Sequence, residues 1–103
     1  MKAGQLNQRV TIERLTETED KYGDSTSEWV TAATVWAAVE PLVGREFMAA
    51  MQAQASVSTR IRMRYRPGVT PADRVTHEGR VYGIESVIDV RAGHRELVLM
   101  CRG

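Results

Sequence analysis

The sequence predicts a mainly β fold, a small antiparallel β-barrel or sandwich of five to six strands with one short helix. Most segments alternate apolar and polar residues, which is the period of a half-buried strand. Glycine- and proline-containing turn signals separate these segments. One segment alone changes to a helical period. Closure into a barrel or packing of two sheets would hide the strand edges.

The first strand is predicted over 8–15, with Val10 and Ile12 on one face. Residues 16–28 are polar and rich in turn-forming types, so we expect a long projecting hairpin loop there. A second extended run, rich in aromatic and β-branched residues, covers 29–40. The first third of the chain is therefore predicted to be a hairpin with a long polar connection.

The helix is predicted over about residues 45–55, a segment without any β-branched residue. Phe47, Met51 and Ala55 fall on one face of it, and Met48 lies beside them. Such a stripe usually packs on the core of the domain. Because methionine adapts to varied surfaces, Phe47, Met48 and Met51 are also candidates for a partner-docking helix.

The clearest strand is predicted over 57–66, where apolar side chains alternate with arginines. Three more strands are expected over 74–77, 80–90 and 95–102, and the last two form a plausible terminal hairpin. The side chains expected to face the core on these two strands are Tyr82, Ile84, Ile88, Val90, Leu97, Leu99 and Cys101.

Composition excludes several classes of protein. The chain has 103 residues, enough for one domain over 1–103, and 43% apolar with 26% charged residues is near the globular average. A net charge of +1 argues against a nucleic-acid coat, and the apolar stretches are far shorter than the ~20 residues of a membrane span. The single cysteine, Cys101, rules out an internal disulfide. No metal-ligand cluster, cofactor motif or catalytic motif is present, which argues against an enzyme.

The arginines of the strand over 57–66 share one face, and three interpretations of them stay open. They are Arg60, Arg62, Arg64 and Arg66. They could be solvated and paired with glutamates across strands. They could contact nucleic acid, although a single-strand platform needs aromatic residues between the cations, and Tyr65 has the opposite parity. They could also form a protein interface.

Charge segregation favours the protein interface. Residues 13–28 carry six acids against Arg14 and Lys21, a net charge of −4, whereas 57–66 carry four arginines and no acid. The acidic interface candidates are Glu17, Glu19, Asp20, Asp24 and Glu28. If the loop of one copy met the strand of the next, the contact would be heterologous, and such contacts can close into rings.

The chain resembles the phage head–tail joining family, the small head-closure or adaptor proteins of long-tailed phages and prophages. The most specific stretch is the Trp-Ala-x-Val-Glu-Pro-Leu-x-Gly-Arg-Glu run over 36–46, preceded by Tyr22-Gly23 and Trp29. The other matching segments are AGQLNQRVTIER (3–14), DKYGDSTSEW (20–29), IRMRYRPGVTPADRV (61–75), GRVYGIESVIDV (79–90) and RELVLMC (95–101). Ala72-Asp73 departs from the pattern, because a larger apolar residue is expected before Arg74.

The resemblance implies a structural virion protein without catalysis or cofactor. It implies a ring of six or twelve copies at the head–tail connector that closes the DNA-filled capsid and provides the tail attachment platform. The implied partners are other copies of the chain, a portal-side connector protein, a tail-completion or tail-terminator protein, and double-stranded DNA passing through the channel without sequence reading. No membrane is implied, and the location would be the virion, with assembly in the host cytoplasm.

Ring geometry bears on where the arginines lie. Each phosphate that a lumen arginine neutralised would strengthen DNA binding, so a channel lined with them would clamp the genome. We therefore favour the arginines at contacts with other subunits or with the portal. The alternative function is a small β-barrel nucleic-acid-binding protein that uses the arginine-faced strand.

Overall fold

Six antiparallel strands close into a barrel in the order β1-β2-β3-β6-β5-β4. The computed structural model of the chain describes residues 6–52 and 56–103. The elements are β1 (Gln8–Glu19), β2 (Ser25–Pro41), α1 (Gly44–Gln52), β3 (Thr59–Arg64), β4 (Arg74–His77), β5 (Arg80–Asp89) and β6 (Glu96–Arg102). A 3-10 turn, Val90–Ala92, follows β5. The predicted mainly β fold is confirmed, and of the two predicted architectures, barrel or sandwich, the described residues form the barrel, with six strands and one α-helix.

Alternating side chains from all six strands fill the barrel. The buried core cluster consists of Val10, Ile12, Ala37, Ile61, Met63, Val75, Tyr82, Ile84, Leu97, Leu99 and Cys101. The inward faces predicted for β1, β3 and β6 are therefore correct. Cys101 is fully buried, and this burial raises the pKa of its thiol to about 12. The thiol is therefore a core group that stays protonated and unreactive near neutral pH.

The inward face predicted for the end of β5 is wrong, because a β-bulge interrupts the alternation. Ile84 pairs with Cys101 and Ser86 with Met100, so Glu85 is an extra residue in the ladder. An extra residue reverses which face the following side chains occupy. Val87 therefore packs against the core, whereas Ile88 is 45% exposed. Val90 lies in the 3-10 turn, outside the buried core.

The prediction of a long loop over 16–28 is wrong, because most of this segment forms two paired strands. The segment does project from the barrel, as predicted. Cross-strand pairs continue from Thr16–Glu28 to Glu19–Ser25, and only residues 20–24 form the turn. In that turn the Asp20 carboxylate accepts bonds from the backbone N–H groups of Tyr22 (2.8 Å) and Asp24 (2.9 Å). The radius of gyration is 15.2 Å, against about 13 Å for a compact chain of this size. We call this two-stranded projection, residues 15–29, the arm.

Helix α1 covers Gly44–Gln52 and lies at the end of the barrel away from the arm. The last part of the predicted helix, residues 53–55, lies outside the described residues, as does the side chain of Met51. Phe47 is 40% exposed and Met48 is 58% exposed, so these two side chains are not enclosed by the core. Among the described residues, no helix is long and apolar enough to cross a membrane.

Candidate interaction surfaces

Two of the four candidate arginines are held in an ion cluster on the outer face of the barrel. Strand pairing places Glu40 opposite Arg60, with Arg62 two residues further along β3. The Glu40 carboxylate accepts bonds from Arg60 Nε (3.1 Å) and from Arg62 Nε (2.9 Å) and Nη2 (3.1 Å). Arg62 also lies 3.6 Å from Glu96 on β6. Arg60 and Arg62 are thus arranged as the cross-strand pairing interpretation predicts.

The cluster shifts the pKa of its carboxylate. The hydrogen bond from Arg62 and the neighbouring Arg60 hold the pKa of Glu40 below its ordinary value of 4.5, although partial burial opposes them. Bonding to Glu40 in turn raises the pKa of Arg62. A carboxylate whose pKa is lowered by folding stabilises the folded state when ionised, so this contribution is present above pH 4.5 and is lost as the pH falls through the folded pKa.

We predict that Glu40→Gln lowers the free energy of unfolding by about 1 kcal/mol at pH 7, a modest loss because the pair is partly solvated. Below the folded pKa the wild-type side chain is also neutral, so the difference between wild type and variant shrinks. Urea unfolding at pH 7 and pH 3 measures both differences. An equal difference at the two pH values would contradict the assigned role.

Arg64 and Arg66 lie beyond this cluster, at the end of the barrel from which the arm projects. Within the described residues, no carboxylate lies within 4 Å of either guanidinium. The loop after β5 brings Arg91 and Arg95 to the same end, because the Tyr65 N–H donates to the Arg95 carbonyl oxygen (3.0 Å). We call Arg64, Arg66, Arg91 and Arg95 the basic end. Arg91 and Arg95 likewise have no carboxylate within 4 Å among the described residues.

An exposed tryptophan lies beside the basic end. Trp36 is 52% exposed, and the guanidinium carbon of Arg9 lies 4.9 Å from its ring centroid. Trp36 lines a hollow of about 300 Å³ together with Val35, Arg64, Tyr65 and Arg66. Trp36, Arg91 and Arg95 are not among the interaction residues predicted from the sequence. Strand alternation could have identified Trp36, because Val35 and Ala37 on either side of it face inward and the tryptophan must therefore face outward.

The acidic candidates lie on the arm, and the structure divides them into three groups. Glu17 and Glu19 share one face of the arm, because they pair with Ser27 and Ser25. Glu28 pairs with Thr16 on the opposite face. Asp20 and Asp24 lie in the turn, where the Asp20 side chain caps the backbone. Within the described residues none of these five carboxylates forms an ion pair. The structure therefore does not bring the acidic and basic candidates together within one chain.

The base of the arm is fixed to the barrel by two arginines. Arg14 Nε donates to the Asp73 carboxylate (3.2 Å), and its Nη2 donates to the carbonyl oxygen of Gly68 (2.6 Å). Arg74 Nε donates to Glu13 (2.8 Å), and its guanidinium carbon lies 4.2 Å from the ring centroid of Trp29. These contacts hold the arm in one direction relative to the barrel.

Asp73 explains the departure noted in the sequence at Ala72-Asp73. Its side chain is only 2% exposed and also accepts a bond from the Thr70 N–H (3.0 Å). A buried carboxylate is tolerated only where such donors surround it. Asp73 therefore replaces an apolar packing residue with a polar anchor that joins the β3–β4 connection to the arm.

The exposed residues of α1 border a second hollow, at the other end of the barrel. It has a volume of about 520 Å³, and Phe47 lines it together with Leu42, His77 and Tyr82. Met48 is exposed nearby on the same helix. A docking role for Phe47, Met48 and Met51 remains a prediction.

The histidines have ordinary partners. His77 Nε2 lies 2.9 Å from the side-chain oxygen of Gln8, and His94 Nδ1 lies 2.7 Å from Asp89. No group of three or more metal-ligating side chains is found in the part of the chain that the structure describes. Neither histidine is thus part of a recognisable metal or catalytic constellation there.

Comparisons with known proteins point to one family. The model of the family described as phage head completion protein matches residues 1–103. The solution structure of protein SF1141 from Shigella flexneri 2a has a TM-score of 0.79 and 28% identity, with 99% of this chain and 96% of that chain covered. A chain from the virion of a native gene transfer agent particle has a TM-score of 0.61 and 19% identity, with 93% and 92% covered, a likeness of fold. The search of curated proteins finds no match.

Proposed function

Since this chain belongs to the phage head completion protein family, we propose that it is a structural protein of the head–tail connector, which closes the DNA-filled capsid and provides the surface on which the tail attaches. The observation that carries this proposal is the family match over the whole chain, residues 1–103. The same proposal makes the chain a non-enzymatic component of the virion that is assembled in the host cytoplasm.

The shape of the molecule supports a role in a ring. A closed barrel has no free strand edge in its body, so barrels can be placed side by side without uncontrolled strand pairing. The arm extends roughly 17 Å beyond the barrel, from the rise of a strand over residues 15–20. A rigid barrel with one fixed projection is suited to reach a neighbouring copy in a ring of six or twelve.

The two ends of the barrel differ in chemistry, which supports two different partners. One end carries the arginines of the basic end and the arm, and the other carries α1 with its exposed Phe47 and Met48. We propose that the helical end docks a protein of the head–tail axis, either the portal-side connector or the tail-completion or tail-terminator protein. Double-stranded DNA would pass through the central channel without sequence reading.

The alternative function, a small nucleic-acid-binding barrel, loses part of its basis. Arg60 and Arg62 are paired with Glu40, and Arg62 also with Glu96, so two of the four arginines of the predicted face are already engaged by carboxylates. The exposed Trp36 and the neighbouring arginines of the basic end favour it, because aromatic rings stack on bases and arginines bind phosphates. Steeply salt-dependent binding of single strands by the isolated protein would support this alternative.

A complementation experiment tests the proposed function. Particles are produced from a genome that lacks this gene, with the wild-type chain, or no chain, supplied in trans. Without the chain we expect DNA-filled heads that lose their genome and separate tails, and with it we expect joined particles that contain the chain. Joined, DNA-retaining particles formed in its absence would overturn the proposal.

A further inference from the structure

We infer that the acidic arm of one copy docks on the basic end and Trp36 of the next copy, and that this heterologous contact builds the ring. The inference rests on the proposed function only in taking the ring as the assembly. Both surfaces are built from described residues of this chain, and the occupant proposed for each is a second copy.

The first support is that the acidic arm and the basic end carry opposite charges and do not pair with each other within one chain. The arm carries five carboxylates against Lys21, a net charge of −4, and the basic end carries four arginines. Arg60, Arg62, Arg74 and Arg102 on the barrel have acidic partners, whereas Arg9, Arg45 and Arg80 form no ion pair among the described residues. Among the described residues, the arm therefore presents five carboxylates without ion-pair partners and the basic end presents four arginines without them, two surfaces of opposite sign.

The second support is that the arm has no covering surface of its own. A two-stranded ribbon is marginally stable in water, and this one exposes both faces. Leu15 is 43% exposed, and Tyr22 at the turn is 78% exposed. Tyrosine is a frequent anchor residue in interfaces, and the hollow beside Trp36 offers an aromatic and cationic surface for it. Docking would therefore cover the arm and fill the hollow together.

The third support is that like charges oppose contacts between two identical surfaces, arm against arm or basic end against basic end. Pairing two arms edge to edge would place the carboxylates of Glu17 and Glu19 near those of a second arm, which is unfavourable. Facing two basic ends would bring eight arginines together. A contact between the arm of one copy and the basic end of another avoids both repulsions, and where it is made head to tail it forms a ring when its rotation closes.

Charge reversal with mutual rescue tests the contact. Arg66→Glu with Arg95→Glu cancels the net charge of the four arginines of the basic end, and Glu17→Lys with Glu19→Lys cancels the net charge of the arm. We expect each double variant alone to self-associate about tenfold more weakly than wild type by sedimentation at low salt. An equimolar mixture should regain association between unlike copies, because the unchanged acidic arm of the first variant then meets the unchanged basic end of the second.

A matched control carries the same change in charge at the other end of the barrel. Arg45→Glu with Arg80→Glu alters two exposed arginines, one on α1 and one at the start of β5. It should associate as wild type does. Equal weakening by the control, or a mixture that fails to regain association, would overturn the inference.

Cysteine cross-linking locates the contact independently. The native thiol of Cys101 is fully buried and does not compete. Ser25→Cys places a thiol on the arm, and Ala92→Cys places one beside the basic end without removing an arginine. Concentrated mixtures of these two variants should form a mixed disulfide several-fold faster than mixtures of Ser25→Cys with Val43→Cys, whose residue is 73% exposed near α1. Equal rates for the two mixtures would overturn the inference.

These outcomes are distinguishable from failure of the proposed function. If the reversed variants still join heads to tails although the gene is required, the function stands and the arm contact is wrong. If the wild-type chain is dispensable for joining, the function fails whatever the cross-linking shows. A DNA-binding role gives a further outcome, in which Arg66→Glu with Arg95→Glu abolishes binding of duplex DNA while the cross-linking result is unchanged. That outcome would assign the basic end to DNA and overturn the inference.

Discussion

Removal of the arm is expected to abolish head–tail joining while the barrel stays folded. Leu15 and Trp29 are cross-strand partners, so replacing residues 16–28 with Asn-Gly closes the hairpin with a two-residue turn. The removed segment makes its cross-strand pairs within the arm, so barrel stability should change by only about 1 kcal/mol. In complementation, however, the number of joined particles should fall to that of the gene deletion.

The barrel's integrity is measured on the same variant. Its near-ultraviolet circular dichroism and melting temperature should remain close to those of the wild type. Lys21→Ala, which keeps the arm and its carboxylates, serves as the control and should complement fully. Normal joining by the armless variant would show that the arm has no part in assembly.

Removal of the buried carboxylate at the arm's base is expected to have the largest effect on stability among the substitutions considered. Asp73→Ala removes the acceptor for Arg14 and for the Thr70 N–H. Because this acceptor is enclosed and charged, we expect the free energy of unfolding to fall by about 3 kcal/mol. For a chain of this size that corresponds to a fall in melting temperature of about 15 °C. Calorimetry measures the change.

A matched variant distinguishes burial from charge pairing as such. Glu85→Ala breaks the ion pair with Arg102, which at 2.7 Å is shorter than the 3.2 Å pair of Arg14 with Asp73 but has side chains that are 38% and 50% exposed. An exposed pair contributes at most about 1 kcal/mol, so this variant should melt near the wild-type temperature. Equal losses for Asp73→Ala and Glu85→Ala would contradict the anchoring role of Asp73.

Much of the barrel could be predicted from the sequence because local pattern and burial agree there. On β3, Ile61 and Met63 alternate with arginines, and both are fully buried. The same agreement holds for Leu97, Leu99 and Cys101 on β6. A closed barrel has one inside and one outside, so a period of two determines the orientation of every regular residue.

The errors arise where one residue changes the pattern or where polar residues form strands. The bulge at Glu85 reversed the faces of Val87 and Ile88, and nothing in the alternation indicates where an extra residue enters. The arm was predicted to be a loop because it contains no apolar alternation. Its threonines and serines nevertheless pair as a ribbon, as the 2.8 Å contact between the Thr18 and Thr26 hydroxyls shows.

The interaction surfaces could be predicted only in part, because pairing between distant residues decides which charges remain available. The arginines of β3 look equivalent in sequence, yet Glu40 holds Arg60 and Arg62 and leaves Arg64 and Arg66 to the basic end. Arg91 and Arg95 belong to a loop distant in sequence, and they join the surface only through the fold. The five acidic candidates are all exposed, as the polarity and turn composition of their segment indicate, and their role in an interface stays a prediction.

Electron cryomicroscopy of the complete particle tests the central claim most directly. We predict that density at the head–tail junction shows a ring of six-stranded barrels of this chain, with the arm of each copy on the basic end of its neighbour and α1 towards an axial partner. A head–tail junction built without this chain would contradict the structural role. A ring in which the arms contact no neighbouring copy would contradict the proposed basis of its assembly.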